Sequence, residues 1–260
     1  MDPNFNRFQT KRKNRRVRIR VYLWLAGIFL AFVGIFYVVQ LSPVFKVRNF
    51  NISGKEHLTD KEVLKIIGER VMTSRIGTFL GSDNLLTWSV KSPDTSKTAL
   101  LKAVIDRDWI KQSVNIAIEE RERIAIWCDS KGDCSWIDVD GMLFEKAPQV
   151  EGSLILTVKD VNSGYISIGA KISEDRFIKN IIDILEGLKA MKLAVKYISF
   201  DSKLQEIHVE NYSGPAIFFS IRFDPSTNMD SLRTMMEKQD FKKYPYIDLR
   251  VENRIYYKSS

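Results

Sequence analysis

KRKNRRVRIRVYLWLAGIFLAFVGIFYVVQLSPVF, residues Lys11–Phe45, packs seven basic residues between Lys11 and Arg20, then runs from Val21 to Leu41 without a formal charge. At about 1.5 Å per residue, a helix needs roughly 20 apolar residues to cross a hydrocarbon core of about 30 Å. Val21 to Leu41 is that long, and only Gln40 in it is strongly polar. A cleavable signal peptide carries a shorter apolar region of about 7 to 15 residues and a small-residue cleavage site. Here Ser42, Pro43 and Val44 follow with no A-x-A pattern. A helix buried in a soluble core shows a polar face, and this run shows none. The stretch reads as an uncleaved membrane anchor.

Lys and Arg close to the end of a span stay on the cytoplasmic side. Lys11, Arg12, Lys13, Arg15, Arg16, Arg18 and Arg20 therefore predict a basic cytoplasmic tail over 1–20, a transmembrane helix over 21–41, and an extracytoplasmic region over 42–260. A basic cluster also has the form of a nucleic-acid tail, but beside a span the anionic lipid surface is the simpler contact. The net charge of +8 comes largely from this tail, whose first 20 residues hold eight Lys or Arg against one Asp. The remainder is near balance and implies no basic ligand-binding surface. Residues 42–260 exceed one domain of about 100 to 150 residues, so two modest domains are expected, over 42–147 and 148–260.

Just past the anchor, FKVRNFNI alternates at Phe45, Val47 and, after a slip of one, Phe50 and Ile52, which predicts a strand closed by Gly54. In LTDKEVLKIIG, Thr59 and Glu62 have capping-box spacing, Leu58 and Val63 have hydrophobic-staple spacing, and Gly68 is the expected stop. NLLTWSV and SKTALLKAV can each supply a short helix or strand. SVNIAIEERERIAIWCDSKGDCSWIDVDGMLF alternates almost throughout, as an antiparallel hairpin does. Farther on, SEDRFIKNIIDILEGLKAMK repeats apolar residues at helical spacing behind Ser173 as cap. VKYISFD, QEIHVEN and AIFFSIRF read as strands, with either Phe218 or Phe219 in the core, followed by a short helix at MDSLRTMMEK and a closing strand YIDLRVENRIYYK. The fold class is α+β: one N-terminal transmembrane helix, then two domains, the second with a mainly antiparallel sheet.

Residues for catalysis are sparse. His57 and His208 are the only histidines, far apart in sequence, and no partners for a triad or a zinc site are visible. DVDG at Asp138–Gly141 begins like a calcium loop, but Met142 and Gln149 stand where oxygen ligands belong, so a turn between strands is the better account. No Gly-rich phosphate loop or G-x-S-x-G elbow occurs. No catalytic residue, metal, cofactor, nucleic acid or small-molecule substrate is expected. In CDSKGDC, a three-residue loop at Ser130, Lys131 and Gly132 would set Cys128 opposite Cys134, close enough for a disulfide. The alternative is a reduced pair packed as small hydrophobes.

The order FKVRNFNISG, capped helix, VNIAIEERERIAIW, IDVDGMLF and closing YIDLRVENRIYYK resembles the FtsQ/DivIB family of single-pass bacterial cell-division proteins. The sequence departs from that pattern at Arg123, where a proline is common, and at Val251, where an aromatic is common. The resemblance implies a POTRA-like domain over 42–147 and a C-terminal β-domain. It also implies a non-enzymatic role at the division septum, with the bitopic proteins FtsB and FtsL as partners and septal peptidoglycan synthesis as the process controlled. By the same resemblance the docking positions are Arg250, Val251, Glu252, Asn253, Arg254, Ile255, Tyr256 and Tyr257. Along one strand, Val251, Asn253 and Ile255 would point one way and Glu252, Arg254 and Tyr256 the other. A POTRA-bearing export or assembly factor is the alternative among binding proteins, and a membrane-anchored periplasmic hydrolase the alternative among enzymes.

Overall fold

The computed structural model describes residues 3–149, 155–165, 167–237 and 241–258, and of residues 3–19 the backbone alone. Its first element is α1 (Pro3–Leu41), in which Arg20–Leu41 is long and apolar enough to cross a membrane and has no fully buried residue. The helix runs back through the basic tail as well, and the side chains from Lys11 to Arg18 lie outside the described residues. It stops at Leu41 because Pro43 disfavours helical backbone at the residue before it, and Ser42 is extended at φ −68° and ψ 130°.

The chain divides into two compact units that interleave in sequence: Met1–Gly54, Leu58–Pro93 and Val104–Ala117 form the first, and Lys55–His57, Asp94–Ala103 and Ile118–Ser260 the second. In the first unit, β1 (Asn49–Ser53), α2 (Asp60–Met72) and α3 (Arg75–Leu80) precede β2 (Leu100–Asp108) and β3 (Ser113–Glu120), and the division passes through both β2 and β3. The three strands form a sheet in the order β1-β3-β2, with β1 parallel to β3 from Asn49↔Ser113 to Ser53↔Ala117. The strand expected from Phe45 begins only at Asn49, because Pro43–Phe45 coil into a turn of 3-10 helix and the Val47 amide bonds the Asp83 carbonyl at 2.8 Å.

The start of α2 is as the sequence predicts. The Glu62 amide donates to Thr59 Oγ1 at 3.4 Å and the Thr59 amide donates to the Glu62 carboxylate at 2.8 Å. Its end differs. Gly68 costs about 1 kcal/mol in a helix interior, yet the helix continues to Met72, because Val63, Ile67 and Val71 recur four apart and are all buried. α3 follows after one tight bend, with Ser74 Oγ accepting from the Gly77 amide at 3.0 Å. A Cβ on Gly77 would lie 2.7 Å from the Val71 carbonyl oxygen, so the bend needs glycine there.

The second unit is built on a nine-stranded sheet. Its strands are β4 (Ala125–Cys128), β5 (Cys134–Ile137), β6 (Leu143–Lys146), β7 (Thr157–Asp160), β8 (Val195–Asp201), β9 (Glu206–Asn211), β10 (Ala216–Ser220), β11 (Tyr246–Val251) and β12 (Arg254–Tyr257). They lie in the order β12-β11-β10-β9-β8-β7-β4-β5-β6. The sheet is antiparallel except at β10–β11, β7–β8 and β4–β7. Parallel neighbours need a long crossover. α4 (Asp175–Ala190) supplies it between β7 and β8, and α5 (Ser226–Met236) between β10 and β11.

Both helices share one hydrophobic cluster with one face of the sheet. α4 buries Phe177, Ile178, Ile181, Ile182, Ile184, Leu185 and Leu188, each worth about 1.5–3 kcal/mol when fully removed from water. They meet Ile198, Phe200, Ile207, Val209, Ile217, Phe219, Ile247 and Leu249 from alternate strand positions. The expected cap Ser173 lies one residue too early: Glu174 holds the N-cap position and makes no side-chain capping bond.

The sequence reading closes the first domain at residue 147, and the structure divides the chain before that. β4, β5 and β6 join the large sheet through the parallel β4–β7 pairing, Ile126↔Thr157 to Cys128↔Lys159, and Trp127 packs on Phe200 with ring centroids 5.1 Å apart. Their apolar face completes the second core, which residues 148–260 alone would leave open at that end.

Candidate partner-binding edge

YIDLRVENRIYYK, read as one strand, is a hairpin. β11 ends at Val251, Glu252 and Asn253 turn, and β12 returns antiparallel with Ile247↔Tyr257, Asp248↔Tyr256 and Val251↔Arg254. Asn253 takes φ +57°, a left-handed conformation that Asn tolerates far better than branched residues. The expected single alternation therefore fails at the turn. A register shift between Asp248 and Val251 sets Val251 opposite Arg254, on the face of Arg254 and Tyr256, while Ile255 packs against the core on the other.

The bulged segment is held from beneath. Asn228 on α5, almost wholly buried, donates through Nδ2 to the Leu249 carbonyl at 3.0 Å and to the Val251 carbonyl at 3.4 Å. An unmade hydrogen bond at a buried carbonyl costs about 1–3 kcal/mol, so Asn228 stabilises the end of β11 on which β12 is laid. Sequence reasoning missed it. The only sign is a polar residue at an apolar-phased helix position beside Met229 and Leu232.

On the face turned away from the helices, a row of side chains braces β11. Arg250 grips Asp248 with two parallel bonds, Nε to Oδ1 at 2.9 Å and Nη2 to Oδ2 at 2.6 Å, and reaches Glu206 Oε2 through Nη1 at 3.1 Å. Its guanidinium lies 5.2 Å from the Phe218 ring centre, and that ring meets His208 edge-on at 4.9 Å. The Arg250 bonds hold the Asp248 carboxyl below the usual carboxylate range, and Asp248 in turn raises Arg250. A two-pronged Arg–carboxylate pair fixes orientation as well as charge. Phe219, not Phe218, is the core residue of the pair, and Phe218 serves this outer row.

β12 is the last strand at its end of the sheet, and no backbone hydrogen bond reaches its outer edge from a described residue. Tyr256 and Tyr257 are 48% and 53% exposed, and Tyr257 stacks edge-on with Tyr244 at 5.0 Å. Among the predicted positions, Arg250 is thus tied into the brace, Glu252 and Asn253 make the turn, and Arg254–Tyr257 present the open edge. A strand laid on a braced neighbour and open along its outer edge is a template for an added strand.

The remaining sequence candidates are placed elsewhere. Cys128 and Cys134 are bonded to each other across the β4–β5 hairpin, with the Asp129 amide donating to the Asp133 carbonyl at 2.9 Å to close the three-residue loop. Asp138–Gly141 is a turn, in which Asp138 Oδ1 accepts from the amides of Asp140 at 3.0 Å and Met142 at 2.8 Å. His57 sits beside Glu120 and His208 beside Glu206. Among the described residues, no group of three His, Cys, Asp or Glu side chains is placed to hold a metal ion. Compared with known proteins, the chain matches no family model and no curated protein.

Proposed function

We propose that this chain is a bitopic membrane protein that acts as a non-enzymatic scaffold, docking a partner segment on the open edge of β12. The observation that carries this is the contrast between β11, braced on both faces, and the unpaired outer edge of β12 laid against it. Resemblance to the FtsQ/DivIB family supplies the process and the partners: cell division, FtsB- and FtsL-type bitopic proteins, and control of septal peptidoglycan synthesis. In this reading α1 anchors the chain with its N-terminus in the cytoplasm, and the first unit, ordered β1-α2-α3-β2-β3, is the POTRA-like domain that the resemblance sets after the anchor. The Cys128–Cys134 bond supports an extracytoplasmic second unit, since disulfides persist in oxidising compartments.

Removing residues 254–260 tests the proposal. Capture of an FtsB-type partner by the detergent-solubilised full chain should be lost, while circular dichroism and membrane fractionation stay as in the parent. Full-strength capture by the truncated protein would place docking elsewhere.

A further inference from the structure

Within the first unit, α3, the segment after it and the β2–β3 turn are tied to the last turn of α1 and to the 3-10 turn that follows it. Gln40 Nε2 donates to the Phe79 carbonyl at 2.6 Å, Asn84 Nδ2 to the Val39 carbonyl at 2.8 Å, and Gln112 Nε2 to the carbonyls of Pro43 and Val44 at 2.7 and 3.1 Å. The end of α3 and the β2–β3 turn are thereby held at the level where the apolar helix finishes. Arg20–Leu41 has 22 residues, which rise about 33 Å, so a helix that crosses a hydrocarbon core of about 30 Å ends at its boundary with the headgroups.

Large apolar side chains project at that level. Phe79 is 72% exposed and Ile110 96%, with Ile76, Val44 and Trp109 also exposed. The β2–β3 turn is stiff: Asp108 Oδ1 accepts from the amides of Ile110 and Lys111 at 3.0 and 2.9 Å, and Trp109 packs edge-on against Phe45 at 6.3 Å with the Arg107 guanidinium 5.2 Å from its ring centre. A Trp–Ile tip beside Lys111, whose ammonium lies 3.8 Å from the Asp108 carboxylate, and an Ile–Phe pair beside Arg75 combine an apolar wedge with a flanking cation. Bilayer interfaces favour that combination.

We infer that this end of the first unit is a second membrane contact: Ile76, Phe79 and the Trp109–Ile110 turn seat in the headgroup boundary of the leaflet from which α1 emerges, and fix the tilt of the unit on the bilayer. The inference rests on the reading of α1 as a membrane span. The native cysteines Cys128 and Cys134 are bonded to each other, so a single introduced cysteine is the only free thiol to label. Full-length F79C, I110C, F32C within the helix and K61C at the far end of the unit, each carrying a nitroxide, are reconstituted in phosphatidylethanolamine–phosphatidylglycerol vesicles. Accessibility to oxygen, which concentrates in lipid, is compared with accessibility to an aqueous nickel chelate. The oxygen-to-nickel ratio at 79 and 110 should fall between those at 32 and 61, several-fold above the ratio at 61. Ratios at 79 and 110 equal to that at 61, with 32 still in lipid, overturn the inference and leave the anchor standing. A water-exposed label at 32 overturns the anchor, and the inference with it.

Discussion

β6 and β12 are the two edges of one sheet, and they are treated in opposite ways. Against β6 lies the segment Gly169–Lys171: the Leu143 amide donates to the Ala170 carbonyl at 2.9 Å, the Gly169 amide donates to the Leu143 carbonyl at 2.6 Å, and Met142 and Lys171 form an antiparallel bridge. The same end carries the Cys128–Cys134 bond and the Arg121–Asp138 ion pair, whose side chains are almost wholly buried. β12 has no such cover among the described residues, and its support is the strand behind it, β11, which Asn228 on α5 and its own Arg250 hold in place. An open edge invites unwanted pairing, and proteins commonly blunt or cover it. One edge is closed by the chain, and the other is supported from behind but left bare.

The comparison breaks most sharply at the closed end. Arg121 also donates through Nε to the Thr98 carbonyl at 3.2 Å, so Arg121→Ala leaves Asp138 buried without its cation. Removing one member of a buried pair costs about 3–5 kcal/mol. Urea denaturation should show that loss in the second unit, and a change under 1 kcal/mol would mean the pair is idle.

Next in size is the disulfide. Its cysteines are six positions apart, and the chain-entropy relation gives about 2 kcal/mol for so short a loop. Cys128→Ser with Cys134→Ser should lower unfolding stability by that amount while partner capture through β12 persists. Loss of capture in a folded double variant would couple the two ends.

Asn253→Ile attacks the open end instead. A β-branched residue at φ +57° costs about 1 kcal/mol or somewhat more, and the strain falls on the β11–β12 turn alone. Global stability should drop by that small amount, while hydrogen exchange of the β12 amides rises and partner capture weakens. Asn253→Gly should restore both.

The smallest effect is that of acid on the Arg250–Asp248 brace. The Asp248 carboxyl titrates below its unfolded value of about 3.9. Its contribution is therefore complete above that value and fades as the pH falls through the lower folded one. Protection of the β11 and β12 amides, taken relative to their intrinsic exchange at each pH, should fall below about pH 4, and Asp248→Asn should remove that acid-dependent step.

Local rules carried much of this fold into the sequence. Capping-box spacing placed the start of α2, an unbroken apolar run marked α1 as a helix fit for a membrane, and period-two alternation with a short polar loop set Cys128 against Cys134. Each depends on residues within a turn or a hairpin of one another, so the chain need not know its long-range neighbours. Where packing at a distance decides, the sequence was silent or misleading. Gly68 ends a helix by propensity, but the buried Val71 beyond it carries α2 onward. β4–β6 alternate equally well for either domain, and only pairing with β7 assigns them. The closing hairpin had a local sign in Asn253, yet its bulge and its Asn228 support arise from α5 lying under β11. Whether an edge stands open or covered is a property of what the rest of the chain lays beside it, so that distinction between β6 and β12 came from tertiary structure alone.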